Sequence, residues 1–353
     1  MRVGILTFHQ TTNYGAHLQA YALWKKINSL GHAVEIINYA PIRSTVEYLK
    51  CTVKSKTPIA RASQYYKLMR FLPQEARLSP VIFRTAKSLR NHSHSYDLVI
   101  CGSDEIWNIE KPFIGFDLSY FLDFLDQSTM KASYAASFGD VKDITRYKSK
   151  LVKLFSAFDS IAVRDNNSLR LVSECGRQAV KVLDPTFLTD YKEFESETPH
   201  PKKYLLVYAY QLNQAELNFI YEVAKQKNLS IISVGNNIKN SDVNLLAASP
   251  REWINAFKHA SYVITSYYHG LIFSLLYQKS FNVLMKSNKL LKMNDLLDDM
   301  ALTSRIFDSS LPSQLQGTEI PYEFTLPKIQ ERKIISNDYL SQILKLKIFS
   351  PVT

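Results

Sequence analysis

Three polar clusters carry most of the chemically able side chains of this chain, and each follows an apolar run. The first is Thr7-Phe8-His9-Gln10-Thr11-Thr12-Asn13-Tyr14-Gly15. At a strand-to-helix junction, its free backbone N–H groups and hydroxyls would face a ligand. It has one glycine, and no G-x-G-x-x-G or Walker pattern occurs in the chain, so a dinucleotide loop is not expected. Its ordinary role would be a capping loop with a structural Asn13 and Gly15. The second cluster is Cys101-Gly102-Ser103-Asp104-Glu105-Ile106-Trp107-Asn108. Asp104 and Glu105 offer a general base and Trp107 a ring for stacking on a sugar; an Asx-turn and helix cap is the plainer alternative. The third is Ser266-Tyr267-Tyr268-His269-Gly270. A histidine opening a helix can hold an anion or act as acid or base near neutral pH. Arg164 ends another apolar run and could grip a phosphate or carboxylate bidentately. Lys286, Lys289 and Lys292 follow a further run, with a solvated loop the plainer reading for the first two. No HExxH, CxxC or Asp-x-Asp pattern is present, so no metal is expected.

Positioning these clusters takes repeated strand–helix units. Val3–Phe8 reads as a strand, 15–30 as a helix ended by Gly31, and 33–39 as the next strand. Further strands are expected at 97–101, 131–136, 160–163 and 180–183, with a helix at 165–175. After a polar stretch at 191–203 holding Pro199 and Pro201, the alternation restarts. Strands at 204–210, 229–235, 262–265 and 281–285 alternate with helices at 214–226, 250–260, 270–277 and 290–300. Ser249-Pro250 is an N-cap followed by a first-turn proline. A last amphipathic helix falls near 330–349. At 353 residues the chain is long enough for two domains. The expectation is α/β, two Rossmann-like doubly wound domains facing across a cleft. Their spans would be 1–190 with a helical insertion at 41–95, then 204–325, with 326–353 crossing back to the first domain. Within the insertion, 65–71 and 81–89 read as helices broken by Pro58, Pro73 and Pro80.

Charge is concentrated. Of a net +11, residues 41–95 supply +9, with eleven Lys and Arg against Glu47 and Glu75. One anionic contact surface is expected there, a membrane leaflet or a diphosphate lipid, with a solvated helical insertion as the plain alternative. Nucleic acid is not expected, because no recognition module accompanies the charge. Cys51, Cys101 and Cys175 are too few and too scattered for a disulfide framework or zinc, which fits a reducing compartment. The opening MRVGILTFHQ lacks a signal-peptide pattern, and no apolar run of about 18 residues occurs. A cytoplasmic location, peripheral to a membrane at most, is the expectation.

The stretches 7–23, 97–108, 131–140, 162–172, 182–188, 249–257, 263–276 and 292–297 resemble, in order, the bacterial polysaccharide pyruvyl transferase family. The resemblance implies a GT-B-like fold and transfer of a carboxyethylidene group from phosphoenolpyruvate onto a sugar of a nascent exopolysaccharide or capsular repeat, lipid-linked in the usual case. It implies no cofactor beyond the donor substrate. By motif match, His269 becomes the acid or phosphate contact, with Arg164, Lys292, Ser266, Tyr267 and Gly270 around the donor. Asp104 and His9 join it as catalytic candidates, and Asn13, Tyr14, Glu105 and Trp107 would face the acceptor. The chain departs from the family pattern at Tyr267, where some branches carry arginine, and at Glu105, where glutamine is usual. Two other readings stand beside this one: a GT-B glycosyltransferase using a nucleotide sugar, and a non-catalytic binder of an anionic polymer or membrane.

Overall fold

Two wholly parallel sheets organise the chain. In the first, β1 (Arg2–Leu6), β2 (Ala33–Ile36), β3 (Leu98–Cys101) and β4 (Met130–Ser133) lie in the order β2-β1-β3-β4. Helix α1 (Tyr14–Ser29) connects β1 to β2. Helices α2 (Ile42–Val53), α3 (Pro58–Glu75) and α4 (Ala86–Arg90) come between β2 and β3 in the sequence. Beyond β4 the parallel pairing continues through the Ala132–Ser160 and Ala136–Val163 bridges to β5 (Ala162–Val163) and β6 (Val180–Lys181). Helices α5 (Lys148–Ser156) and α6 (Asn166–Glu174) flank β5 in the sequence. All four residues of β3 are buried, as a strand covered on both faces requires.

The second sheet has the order β11-β10-β7-β8-β9. It is built from β7 (Tyr204–Tyr208), β8 (Ser230–Val234), β9 (Val243–Leu245), β10 (Tyr262–Thr265) and β11 (Phe281–Val283). Helices α7 (Gln214–Gln226), α8 (Pro250–Lys258), α9 (Tyr268–Leu276) and α10 (Leu290–Asp299) connect or follow these strands. Ser249 caps α8 in a capping box: its hydroxyl accepts from the Glu252 N–H, and the Glu252 carboxylate accepts from the Ser249 N–H. In both sheets the connections reverse direction once, between β1 and β3 and between β7 and β10. Ligands of doubly wound sheets bind outside the strand ends at such reversals.

The computed structural model describes residues 1–91, 95–112, 115–197, 202–286, 290–311 and 318–345. The chain forms two compact units. Met1–Lys54, Leu68–Thr189 and Gln330–Thr353 make the first, and Ser55–Lys67 with Asp190–Ile329 the second. The basic segment is therefore divided: residues 55–67, expected with the first domain, cluster with the second unit. The last helix, α11 (Tyr322–Lys345), starts earlier than expected and contains Pro327. From Gln330 it packs within the first unit. There the Ser336 hydroxyl oxygen accepts from the Leu183 N–H at 2.9 Å, and the Tyr339 hydroxyl donates to the Ser133 carbonyl at 2.9 Å.

Several local expectations give way to the structure. Helix α2 falls within the expected helical insertion, although its sequence, IRSTVEYLKCTV, is rich in β-branched residues of low helix propensity. Pro58 opens α3 rather than breaking a helix, and Pro73 sits in its last turn. Residues 81–85 are not helical, and Phe83 instead bridges Tyr39. Strand β9 and helix α5 add to the expected elements. Pro199, Pro201 and Lys289 lie outside the described residues.

Candidate functional sites at the strand ends

In the first unit the loops after β1 and β3 meet. The Thr7 hydroxyl donates to the Ser103 carbonyl at 2.9 Å, and the Gln19 amide bridges the two loops, donating to the Thr7 hydroxyl at 2.9 Å and accepting from the Ser103 N–H at 3.2 Å. Gly102 is needed for this junction. It has φ +112°, and a Cβ there would lie 2.3 Å from the Tyr134 carbonyl oxygen. Asp104 follows with φ +75°, a left-handed conformation uncommon for a residue with a side chain, of the kind that gathers at ligand sites.

Asp104 Oδ1 accepts from the Glu105 N–H at 2.8 Å and stands 3.8 Å from Arg164 Nη2. Arg164 Nη1 in turn donates to Asp184 Oδ2 at 3.0 Å. Tyr48, from α2, has its hydroxyl pKa pushed up to about 12, by burial first and by the Asp104 charge second. Glu105 lies 3.9 Å from Lys111 Nζ, and that ammonium sits 4.3 Å over the Phe8 ring. A cation thus offsets the negative charge that Glu105 brings.

Other residues of the first two clusters serve the fold. Trp107, expected to stack on a sugar, is fully buried. Its ring lies against Phe121 at 5.7 Å and Phe155 at 4.9 Å, and its Nε1–H donates to the Tyr120 carbonyl at 3.0 Å. A ring enclosed in this way has no face for a ligand, so Trp107 is a core anchor. Asn13 caps α1, accepting from the Gly15 N–H at 2.9 Å. Tyr14 is buried, at 1% exposure, and presents no surface to an acceptor in this conformation. His9 is buried, with Nδ1 3.1 Å from the Thr7 carbonyl and Nε2 3.1 Å from Asn38 Oδ1. Burial lowers its pKa, against the two hydrogen bonds, which raise it.

In the second unit the third cluster sits at the β7–β10 reversal. Gly270 lets α9 start hard against β10: a Cβ would lie 2.1 Å from Thr265 Oγ1, whose hydroxyl donates to the Tyr208 carbonyl at 2.8 Å. Ser266 is buried and its hydroxyl accepts from the Tyr210 N–H at 3.2 Å. The Tyr267 ring stacks on Tyr208, with centroids 4.1 Å apart. His269, 5% exposed in the first turn of α9, meets Tyr268 edge to face, and Lys292 Nζ lies 5.4 Å over that same Tyr268 ring. Lys286 is taken up by Glu216 at 2.7 Å. The ammonium follows β11, but it is neutralised at the start of α7.

A cavity of about 700 Å³ adjoins the ends of β7 and β8. Its lining includes Lys56, Arg61, Tyr210, Asn236 and Lys239, and no carboxylate among the described residues. Arg61 is held in place there: Nη1 donates to Gln64 Oε1 and Nη2 to Asn236 Oδ1, both at 2.8 Å. The Asn236 amide then donates to the Tyr267 hydroxyl oxygen at 3.2 Å. Arg61 and Tyr267 are therefore joined through a single side chain. Sequence reasoning missed Arg61 because 175 residues separate it from Asn236. In the sequence Asp184 appears only as one residue of the 182–188 stretch. Arg164, expected beside His269 and Lys292 at the donor, belongs to the first unit and is engaged with Asp184 and Asp104.

Solved structures with this architecture include the UDP-GlcNAc 2-epimerase of Methanocaldococcus jannaschii in complex with UDP-GlcNAc and UDP. It has a TM-score of 0.54 at 10% identity, covering 98% of this chain and 100% of that one. The glycotransferase of kitacinnamycin has a TM-score of 0.53 at 10% identity, with 95% of each chain covered. The S. aureus MnaA–UDP structure has a TM-score of 0.51 at 11% identity, covering 98% of this chain and 96% of that one. These similarities establish a GT-B fold of two Rossmann-like domains. No curated protein matches the sequence. The family model for polysaccharide pyruvyl transferase matches residues 13–286, a span holding Asp104, Arg164 and His269, and the chain belongs to that enzyme family.

Proposed function

We propose that this enzyme transfers the carboxyethylidene group of phosphoenolpyruvate onto two hydroxyls of a saccharide, in the growing repeat of an exopolysaccharide or capsule carried on a lipid. The observation that supports it best is the cationic strand-end constellation of the second unit, on a chain of this family. His269 opens α9, Lys292 lies over Tyr268, and Arg61 is tied to Tyr267 through Asn236. An acid and two cations are what the donor's enol, phosphate and carboxylate need.

In the proposed reaction His269 delivers a proton to C3 of phosphoenolpyruvate, creating an oxocarbenium-like centre at C2. One sugar hydroxyl adds to C2 and loses its proton to solvent. The C2–O bond to phosphate then breaks, phosphate departs, and the second hydroxyl closes the ketal as its proton is released. The location proposed is the cytoplasmic face of the cell membrane, where a lipid-linked acceptor would be met.

Phosphate release from phosphoenolpyruvate in the presence of a lipid-linked oligosaccharide tests the proposal, with loss of turnover expected in His269→Ala. A second reading, glycosyl transfer from a nucleotide sugar, is favoured by the 700 Å³ cavity, which is larger than phosphoenolpyruvate requires. Thermal stabilisation by UDP- or GDP-sugars with none by phosphoenolpyruvate would replace the first reading with the second.

A further inference from the structure

Helix α2 is inside out. Ile42, Val46, Leu49 and Val53 are 59%, 40%, 44% and 73% exposed, while its buried positions are Ser44 and Thr52. The two hydroxyls go inward without loss because each bonds the helix's own backbone: Ser44 donates to the Pro41 carbonyl at 3.0 Å and Thr52 to the Tyr48 carbonyl at 2.9 Å. At about 100° per residue, the four exposed apolar side chains fall within an arc of roughly 60°. Arg43, Lys50 and Lys54 follow along one flank of that arc, also exposed. Of these, Lys50 is paired with Glu47 at 2.8 Å, and Arg43 Nη2 donates to the Pro112 carbonyl at 3.3 Å. Solvent gives such a stripe no stabilisation, and a soluble surface seldom keeps aliphatic residues in register over three turns.

We infer that α2 is an interfacial helix that lies on an anionic lipid surface, its Ile42–Val46–Leu49–Val53 stripe entering the acyl boundary and its basic flank meeting the headgroups. An aliphatic stripe beside lysine and arginine matches an anionic bilayer on both counts: the apolar arc gains burial and the cations gain countercharge. A protein partner would need an apolar surface with acidic residues along one side, a narrower requirement. The charge of the 41–95 segment is thereby divided in its use. Lys56 and Arg61 line the cavity of the second unit, whereas Arg43, Lys50 and Lys54 belong to the lipid-facing helix. The inference rests on the reading of a lipid-carried acceptor for its purpose, but its test contains neither donor nor saccharide, so either can fail alone.

The test is co-sedimentation of the full chain with vesicles of phosphatidylcholine, with and without one-third phosphatidylglycerol. Binding to the anionic vesicles is expected to exceed binding to neutral ones at least tenfold and to fall as salt rises from 0.05 to 0.5 M. The Val46→Asp/Leu49→Asp variant is expected to lose at least tenfold, with an unchanged melting temperature because both side chains are exposed. If that variant does not fold, Arg43→Gln/Lys50→Gln/Lys54→Gln gives the same reading through charge, with loss of the anionic preference expected. Equal binding to both vesicle types, or variant binding equal to that of the parent, overturns the inference. So does a parent dimer that Val46→Asp/Leu49→Asp converts to monomer, since the stripe would then be covered by a second copy.

Discussion

Arg164 and Asp184 face each other at 3.0 Å with side chains 1% and 0% exposed. The same Asp184 oxygen accepts from the Ser103 hydroxyl at 3.2 Å, and its partner oxygen accepts from the N–H and hydroxyl of Thr186. The pair thus ties the end of β5 to the loop after β3 that presents Asp104. Removing one member strands a buried charge, a cost of about 3–5 kcal/mol. Asp184→Ala and Arg164→Ala are each expected to lose that much in urea unfolding. A double variant should lose clearly less than the two together, because neither Arg164 nor Asp184 is then left buried without the other.

Trp107 separates a core role from a sugar-binding role. Trp107→Ala is expected to lower stability by about 3–5 kcal/mol, the usual cost of deleting a large buried aromatic side chain. Among correctly folded molecules the acceptor KM should stay within twofold of the parent. A rise in acceptor KM without loss of stability would restore the stacking role expected from the sequence.

Gly270 tests how closely α9 must approach β10. A methyl group would stand 2.1 Å from Thr265 Oγ1, so Gly270→Ala is expected to cost about 1–3 kcal/mol by overpacking. Thr265→Ala in the same chain should return part of the lost melting temperature. Thr265→Ser, which keeps the Oγ atom, should return little.

His17 predicts an acid-side loss of stability. It is 1% exposed, Nε2 lies 2.9 Å from the Thr11 carbonyl, and burial lowers its pKa from 6.5 to about 4. In that window the unfolded chain binds the proton and the folded chain does not, so stability is full above pH 6.5 and declines as pH falls toward 4. The whole decline is worth roughly 3 kcal/mol. Urea midpoints at pH 7, 6 and 5 check it: the slope should be steeper in the parent than in His17→Gln. An identical slope would assign the decline to other groups.

Arg61 predicts an effect on the donor from a residue of the basic segment. Losing one charge-assisted contact to an anion costs about 1.5–3 kcal/mol. Arg61→Gln is therefore expected to raise the KM for phosphoenolpyruvate at least tenfold, while Arg61→Lys should recover part of the loss. An unchanged KM would remove Arg61 from the donor site.

The alternation of strands and helices and the placing of three polar clusters at strand ends are legible in the chain's order of residues alone. Both follow from local physics: β7, β8 and β10 read as short apolar runs, and Asn13, Ser249 and Gly31 announce helix ends to their immediate neighbours. That order could not tell a ligand-facing ring from a core ring. Trp107 follows Ser103-Asp104-Glu105 closely in the sequence yet is enclosed by Phe121, Phe138 and Phe155. Nor could it assign the insertion's charges, because which cations share a cavity depends on contacts such as Arg61 with Asn236, far apart along the chain. That Arg164 is held by two carboxylates, and that the polar side of α2 is the buried one, follows from folded contacts alone. Composition places an apolar residue inside by default, and that default fails where the fold leaves the apolar face uncovered.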